Sequence, residues 1–150
     1  MTGATPSDPR GEEQRRAERL VGAMLARDAF TAWLGIELVA IAPGACTVRM
    51  RVRPEMLNGF GVCHGGVTFS LADSALAFAS NTHGTVTVSV ENSITYPAPV
   101  RAGDTLTATA AEESGTARLA FYRVAVTKGD GTTVGLFRGT VYRTSRTLET

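Results

Sequence analysis

The chain is organised around residues 58–73, which read Asn-Gly-Phe-Gly-Val-Cys-His-Gly-Gly-Val-Thr-Phe-Ser-Leu-Ala-Asp. The apolar residues in and after this stretch predict a helix from Gly65 to Thr82. His83-Gly84 ends it, because glycine readily adopts the left-handed backbone common just past a helix. Asp73 is the one carboxylate inside that helix. Since carboxylates are rarely buried without a partner or a purpose, Asp73 is the first candidate for chemistry.

Length and composition are those of one globular domain without a strongly charged surface. A chain of 150 residues buries about two-thirds of its unfolded surface and needs no disulfide or metal for stability. Hydrophobic residues make up 43%, charged residues 19%, and the net charge is +1. This balance creates no broad field that would attract an anionic polymer or surface, so we expect neither nucleic acid nor membrane as a partner.

Cysteine usage and the N-terminal sequence favour a reduced, cytoplasmic setting. Cys46 and Cys63 lie far apart and form no Cys-x-x-Cys pair, so we expect free thiols rather than a disulfide framework. The N-terminal residues contain no apolar run of the signal-peptide kind, and no stretch approaches the roughly 18 apolar residues of a membrane span. We therefore expect a cytoplasmic protein.

Composition also divides the chain into two tails and one domain. Residues 1–10 are small and polar with two prolines, which predicts a disordered N-terminal tail. Residues 11–144 are expected to form the single domain, and residues 145–150 a C-terminal tail. From Gly11 to Ala29 the charges segregate from the apolar residues at helical spacing, which predicts an amphipathic N-terminal helix.

Strand-like segments flank the central helix on both sides. Trp33 to Ala42 and Cys46 to Val52 predict a hairpin around Pro43-Gly44. Four more strands are predicted after the helix, at Thr85 to Tyr96, Asp104 to Glu112, Arg118 to Thr127 and Thr132 to Arg143. This order indicates an α+β fold in which the helix covers one face of an antiparallel sheet. Gly135 and Gly139 share a face of the last strand and would give that helix room to approach.

Both faces of the predicted helix are largely apolar, so the face that carries Asp73 needs a covering other than the chain's own sheet. A second subunit would provide it, and we expect at least a dimer. At the helix start, the amides of Gly65 and Gly66 have no partner inside the helix and can stabilise an oxyanion. Gly65 and Asp73 lie about 12 Å apart along the axis, too far to act on one carbonyl group. The spacing therefore predicts a site shared between two subunits.

Each of these residues also has a plain structural interpretation. Asp73 can pair with an arginine or with backbone donors, and His64 can cap the helix or lie satisfied in the core. Asn58 can hold its own loop, and the glycines can form turns. From the residues alone, both sets of interpretations stay open.

Three competing motifs are weaker. Gly59-x-Gly61 before a helix is similar to a dinucleotide fingerprint, but His64 occupies the third glycine position and no buried strand leads into it. His64 and His83 do not have the spacing of metal ligands, so we expect no metal. Ser70, His64 and Asp73 supply triad residue types, yet Ser70 lies inside the helix without a Gly-x-Ser-x-Gly elbow, which argues against a serine hydrolase.

Two motifs carry a family resemblance. They are Met-Leu-Asn-Gly-x-x-x-Cys-His-Gly-Gly-x-x-Phe-Ser-Leu-Ala-Asp at residues 56–73 and Leu-Phe-Arg-Gly at residues 136–139. At these positions the chain resembles the hotdog-fold thioesterases, most closely the PaaI-type acyl-CoA thioesterases of phenylacetic acid degradation. The resemblance covers about residues 30–144. It implies a hotdog fold, in which an antiparallel sheet wraps around a long central helix, with an extra helix at the N-terminus.

The resemblance also implies roles for individual residues. Asp73 would be the base or nucleophile, the Gly65 amide would polarise the thioester carbonyl, and Asn58 and His64 would position water and loop. Ser89 falls where related thioesterases carry a serine near the attacking water, so Ser89 and Gly66 are candidate substrate-binding residues. The family is usually a homotetramer, a dimer of dimers, and uses no metal or redox cofactor, with CoA as part of the substrate.

The resemblance implies that the function is hydrolysis of acyl-CoA thioesters, with phenylacetyl-CoA or hydroxyphenylacetyl-CoA as the expected substrate. Three alternatives stay open: a thioesterase for medium-chain acyl-CoA, a non-catalytic acyl-CoA-binding module, and a hydratase on the same fold. The acyl pocket could be floored by an aromatic side chain of Phe60, Phe69 or Phe78. The CoA phosphates could meet an arginine among Arg101, Arg138, Arg143 and Arg146.

Overall fold

The computed structural model describes residues 8–149 and contains three α-helices and six strands in that range. The helices are α1 (Pro9–Arg27), α2 (Ala29–Leu34) and α3 (Gly65–Ser80), with a short 3₁₀ turn at Pro54–Met56. The strands are β1 (Glu37–Ala42), β2 (Ala45–Arg51), β3 (Thr85–Thr95), β4 (Thr105–Gly115), β5 (Leu119–Lys128) and β6 (Thr133–Thr147). The central helix therefore lies where the sequence predicts it.

The six strands form one antiparallel sheet in the order β1-β2-β4-β5-β6-β3, and α3 packs across one face of it. The strands facing α3 alternate buried and exposed residues, as expected for a sheet with one covered face. Leu71, Ala75 and Phe78 of α3 are fully buried against this face. The predicted α+β architecture and the hairpin β1-β2 are confirmed, and β4-β5 and β5-β6 form two further hairpins.

Close packing of α3 on β6 depends on two glycines, as predicted. A Cβ at Gly139 would lie 2.5 Å from Leu76 Cδ2 and 2.9 Å from Asn92 Oδ1, and a Cβ at Gly135 would lie 3.3 Å from Thr68 Cγ2. Side chains on α3 thus occupy the space that side chains on β6 would need.

The Gly139→Ala variant is expected to be less stable than wild type by about 1–3 kcal/mol, because an added methyl group in a well-packed core forces its neighbours to shift. Urea unfolding followed by circular dichroism measures the difference. Gly129→Ala is the matched control, since a Cβ there would meet nothing within 4 Å. Equal stability of the two variants would contradict the close approach.

The N-terminal half differs from the prediction at one element. Trp33, expected in a strand, lies in α2. Asp28 caps this helix by accepting hydrogen bonds from the Thr31 amide at 2.9 Å and the Thr31 hydroxyl at 2.7 Å, and Gly35 ends it with φ of 75°. An aromatic and apolar run suits both strand and helix, and here the local caps favour the helix.

The element ends also differ from the predicted boundaries. The first helix begins at Pro9 rather than Gly11, and the remainder of the predicted tail, residues 1–7, lies outside the described residues. At the other end, β6 continues to Thr147 because Thr147 pairs with Thr85 of β3, so residues 145–147 belong to the sheet. Cys46 and Cys63 are free and buried. No helix within residues 8–149 combines the length and hydropathy that crossing a membrane requires.

Candidate active site

The loop before α3 is held by Asn58. Its side-chain oxygen accepts hydrogen bonds from the amides of Phe60 at 2.9 Å and Val62 at 3.4 Å, and its carbonyl accepts one from Gly61 at 3.0 Å. These contacts all lie within residues 58–62. In the single chain Asn58 therefore shapes the loop that leads into the helix, and Phe60 at the loop tip is 94% exposed.

The first turn of α3 leaves one backbone donor available. His64 is the N-cap residue: its Nδ1 accepts from the Gly66 amide at 2.9 Å, and its carbonyl accepts from the Val67 amide at 2.9 Å. Among the described residues, the Gly65 amide has no acceptor. Gly65 thus presents the free N–H at the positive end of the helix dipole, whereas the N–H of Gly66 is already used.

Gly65 also contacts Tyr96, which follows the end of β3. The Tyr96 hydroxyl donates a hydrogen bond to the Gly65 carbonyl at 2.8 Å, and a Cβ at Gly65 would lie 3.0 Å from the Tyr96 ring. Beside this contact is a cavity of about 250 Å³ lined mainly by apolar residues: Val62, Cys63, Gly65, Thr68, Tyr96, Ala98, Pro99, Val100 and Val134. The free amide therefore borders a space that can take an apolar group.

Asp73 lies two turns along α3 and is half-buried. It forms no ion pair with an arginine or lysine of the described residues. One side-chain donor reaches it, the Asn92 amide, at 2.9 Å from Nδ2 to Oδ1. Burial raises the pKa of Asp73 above its ordinary value, and the hydrogen bond from Asn92 lowers it in part. Among the described residues, Asp73 thus has no arginine partner of the kind that a purely structural role would give it. Its raised pKa makes it a stronger base.

Ser89 and Asn92 place a second polar group beside Asp73. The Ser89 hydroxyl donates to Asn92 Oδ1 at 2.8 Å, so the three side chains form a chain from β3 to α3. Asn92 was missed from the sequence because its approach to Asp73 depends on the pairing of β3 with β6. The only sequence signal is an amide side chain in a strand whose other residues are mainly valine, threonine and serine.

The predicted site residues fall into two groups within one chain. Asn58, His64, Gly65 and Gly66 lie at or before the start of α3, and Asp73 with Ser89 lies about 12 Å along its axis. Within residues 8–149, no three His, Cys, Asp or Glu side chains come together as they would around a metal ion.

The sequence matches a family model across this region. The model is that of the thioesterase superfamily, and the match spans residues 60–135, which includes α3, β3 and most of the sheet. The acyl-coenzyme A thioesterase PaaI of Escherichia coli K12 is 40% identical over 126 residues, covering 84% of this chain and 90% of that protein. The chain belongs to the thioesterase superfamily.

Solved structures of PaaI proteins and of one protein bound to acetyl CoA share the fold. The E. coli PaaI protein from the phenylacetic acid degradation operon superposes with a TM-score of 0.88 at 38% identity, covering 91% of this chain and 99% of that chain. A variant of PaaI from Thermus thermophilus gives 0.75 at 41%, covering 78% and 100%. The protein smu.793 from Streptococcus mutans UA159, bound to acetyl CoA, gives 0.71 at 27%, covering 73% and 88%.

Membership of the superfamily confirms the predicted hotdog fold and the thioesterase class of this enzyme. The structure also shows the surroundings of the side chains considered for the acyl pocket and for the CoA phosphates. Phe78 is fully buried in the core, and Phe69 packs edge-on against Phe137 with ring centroids 5.4 Å apart. Of the arginines considered for CoA phosphates, Arg138 pairs with Glu113 at 2.7 Å and Arg143 with Glu112 at 3.1 Å.

Proposed function

We propose that this thioesterase hydrolyses acyl-CoA thioesters, with phenylacetyl-CoA or hydroxyphenylacetyl-CoA as the preferred substrate. The observation that carries the proposal is a half-buried Asp73 that has no cationic partner within residues 8–149, on a helix whose first amide, at Gly65, has no acceptor in that range. The 40% identity to an acyl-coenzyme A thioesterase of the PaaI type supports the substrate class.

The chemistry follows from those two groups. The Gly65 N–H binds the thioester oxygen and stabilises the negative charge that develops on it. Asp73 takes a proton from water as the water oxygen bonds to the carbonyl carbon, and then returns that proton to the departing CoA sulfur. In the nucleophilic alternative, the Asp73 carboxylate itself attacks, expels the CoA thiolate and leaves an acyl anhydride. Water hydrolyses the anhydride, and the proton that is released neutralises the thiolate. Both routes end in free acid and CoA.

Supporting roles are assigned to four further residues. His64 caps the first turn through the Gly66 amide and leaves the Gly65 amide for the substrate, and Asn58 fixes the loop beside it. Ser89 donates its proton to Asn92, which leaves its oxygen lone pairs free to accept from the attacking water. Gly66 contributes close backbone approach for the substrate, because it carries no side chain.

A site shared between subunits reconciles this chemistry with the distance. Asp73 and Gly65 of one α3 are about 12 Å apart, so the Asp73 of one chain acts with the Gly65 of its partner. The edge of the sheet supports such pairing. The edge strand is β3, which is eleven residues long and has Val88 47% and Val90 56% exposed. Long apolar edge strands invite pairing with another chain. The proposed assembly is a homotetramer built as a dimer of such dimers.

The substrate assignment is tested by thiol release from a panel of acyl-CoAs. The expected result is that phenylacetyl-CoA and hydroxyphenylacetyl-CoA are hydrolysed with kcat/KM at least tenfold above octanoyl-CoA, because an aromatic ring is compact enough for the cavity beside Gly65. Preference for octanoyl-CoA would reassign the enzyme to medium-chain substrates. Binding of phenylacetyl-CoA without any thiol release would make the chain a binding module.

Subunit complementation tests the shared site. Chains carrying Asp73→Asn and chains carrying Gly65→Pro are co-expressed with different affinity tags, and the hybrids are purified over both tags. In a hybrid dimer, one of the two sites combines a native Asp73 with a native Gly65. The hybrid is therefore expected to recover about half of the wild-type turnover, whereas each parent stays inactive. A hybrid as inactive as its parents would place both groups of each site in one chain.

A further inference from the structure

An irregularity in β3 determines which side chains face Asp73. Ser89 pairs with Val141 of β6 and Glu91 pairs with Thr140, so two steps along β3 match one step along β6. Val90 is the extra residue of a β-bulge. In a regular strand, residues three apart point to opposite faces. The bulge removes that alternation, so Ser89 and Asn92 both face α3.

The hydrogen bonds that result run in one direction. The Ser89 hydroxyl donates to Asn92 Oδ1 at 2.8 Å, and Asn92 Nδ2 donates to Asp73 Oδ1 at 2.9 Å. An ionised carboxylate can only accept, so the amide nitrogen must face Asp73 and the amide oxygen must face Ser89. A donor acting on the amide oxygen polarises the N–H that reaches the carboxylate, so the two hydrogen bonds reinforce each other.

The position of the Asn92 side chain is constrained by its packing against β6. Asn92 pairs with Gly139 of β6, and a Cβ at Gly139 would lie 2.9 Å from Asn92 Oδ1. The space left by this glycine thus holds both the amide of Asn92 and the end of Leu76. The packing on Gly139 therefore fixes the position of the Asn92 amide beside Asp73.

We infer that Asn92 is a positioning residue for the proposed hydrolysis. It holds Oδ1 of Asp73, leaves Oδ2 to meet water or substrate, and directs the Ser89 lone pairs toward the same space. This inference rests on the proposed catalytic role of Asp73. The bulge at Val90 is the backbone feature that makes the arrangement possible, since without it Ser89 would point away from Asn92.

Asp73 owes its raised pKa to burial, and the Asn92 hydrogen bond lowers that pKa in part. Asp73 is the only ionisable side chain of α3, and Glu91 is the only one of β3. Glu91 lies next to Asn92 in the strand and contacts the Thr140 hydroxyl at 3.5 Å. On β6, Arg138 pairs with Glu113 and Arg143 with Glu112. On β2, β4 and β5, the ionisable residues of the face toward α3 include Cys46, Glu112 and Tyr122, and the Tyr122 hydroxyl donates to Glu112 at 2.6 Å. A change in the titration of Asp73 on replacing Asn92 therefore reports the loss of this amide.

The test measures the pH dependence of phenylacetyl-CoA hydrolysis by the 150-residue chain. In Asn92→Ala, the ionised form of Asp73 loses its donor, so the acidic limb of the kcat/KM profile is expected to move up by about one pH unit. In Asn92→Asp, a second carboxylate of the same size adds repulsion, and the limb is expected to move further up. The plateau is expected to fall about tenfold in both variants, mainly in kcat, because Asp73 is no longer held in one orientation.

Ser93→Ala is the matched control. Ser93 follows Asn92 on the same strand, faces the opposite side of the sheet and pairs with Arg138. It is expected to keep the wild-type profile. An unchanged acidic limb in both Asn92 variants would overturn the inference, and so would an equal loss of rate at every pH. Loss of the hydrolysis in Asp73→Asn together with unshifted Asn92 variants would leave the proposed function intact and remove only the role of Asn92.

Discussion

The Asp73→Asn variant is expected to hydrolyse phenylacetyl-CoA at least about 100-fold more slowly than wild type, because the amide can neither take a proton from water nor attack the carbonyl. The substitution changes the volume of the side chain very little, and Asn92 can still donate to the oxygen of the new amide. The loss is therefore expected in kcat, with KM nearly unchanged. Steady-state thiol release with purified enzyme measures both constants. Near wild-type turnover would remove Asp73 from the mechanism.

Stability provides the control for Asp73→Asn. Because burial raises the folded-state pKa of Asp73, the protonated form is favoured by folding, and the ionised form costs stability. The contribution of Asp73 to wild-type stability therefore falls as pH rises from the ordinary value of 3.8 through the raised pKa, and the variant lacks this contribution. At neutral pH the variant is expected to unfold at the same or a higher temperature than wild type. A lower melting temperature would attribute the lost activity to misfolding.

The Gly65→Pro variant is expected to lose about 100- to 1000-fold in kcat, the cost of removing one oxyanion donor. Proline removes the amide hydrogen and adds a ring whose Cβ approaches Tyr96. Gly65 is the first residue of α3, where proline is favoured in helices, and it follows His64, whose ψ of 131° is of the kind that precedes proline. The helix is therefore expected to form as before, so the variant tests the N–H group itself.

Gly65→Ala separates the donor from the added side chain. Both substitutions place a Cβ about 3.0 Å from the Tyr96 ring, but alanine keeps the N–H. Because Tyr96 is 47% exposed, its ring can move aside, and the alanine variant is expected to lose about tenfold or less. Equal losses in the proline and alanine variants would show that crowding, and not the missing donor, reduces the rate.

Much of the fold follows from local features that the sequence displays directly. The apolar residues after Gly65 predict α3, and the valine- and threonine-rich segments predict five of the six strands close to their observed ends. Gly135 and Gly139 predict the close approach of helix and sheet. The exception is α2, where Trp33 lies in an apolar aromatic run that suits either structure, and the Asp28 cap gives the helix.

In the candidate site, too, some features follow from local sequence and others depend on the tertiary structure. Asp73, His64 and Gly65 are recognisable in the sequence because their chemistry depends on one helix, whose spacing is known from its periodicity. Which amide of the first turn is free was not predictable, since it depends on His64 turning its Nδ1 toward Gly66. Asn92 was not predictable at all, because a bulge shifts strand register by one residue and the hydrophobic pattern does not record it. Local periodicity can be read from the sequence, whereas contacts between distant segments form only when the sheet assembles.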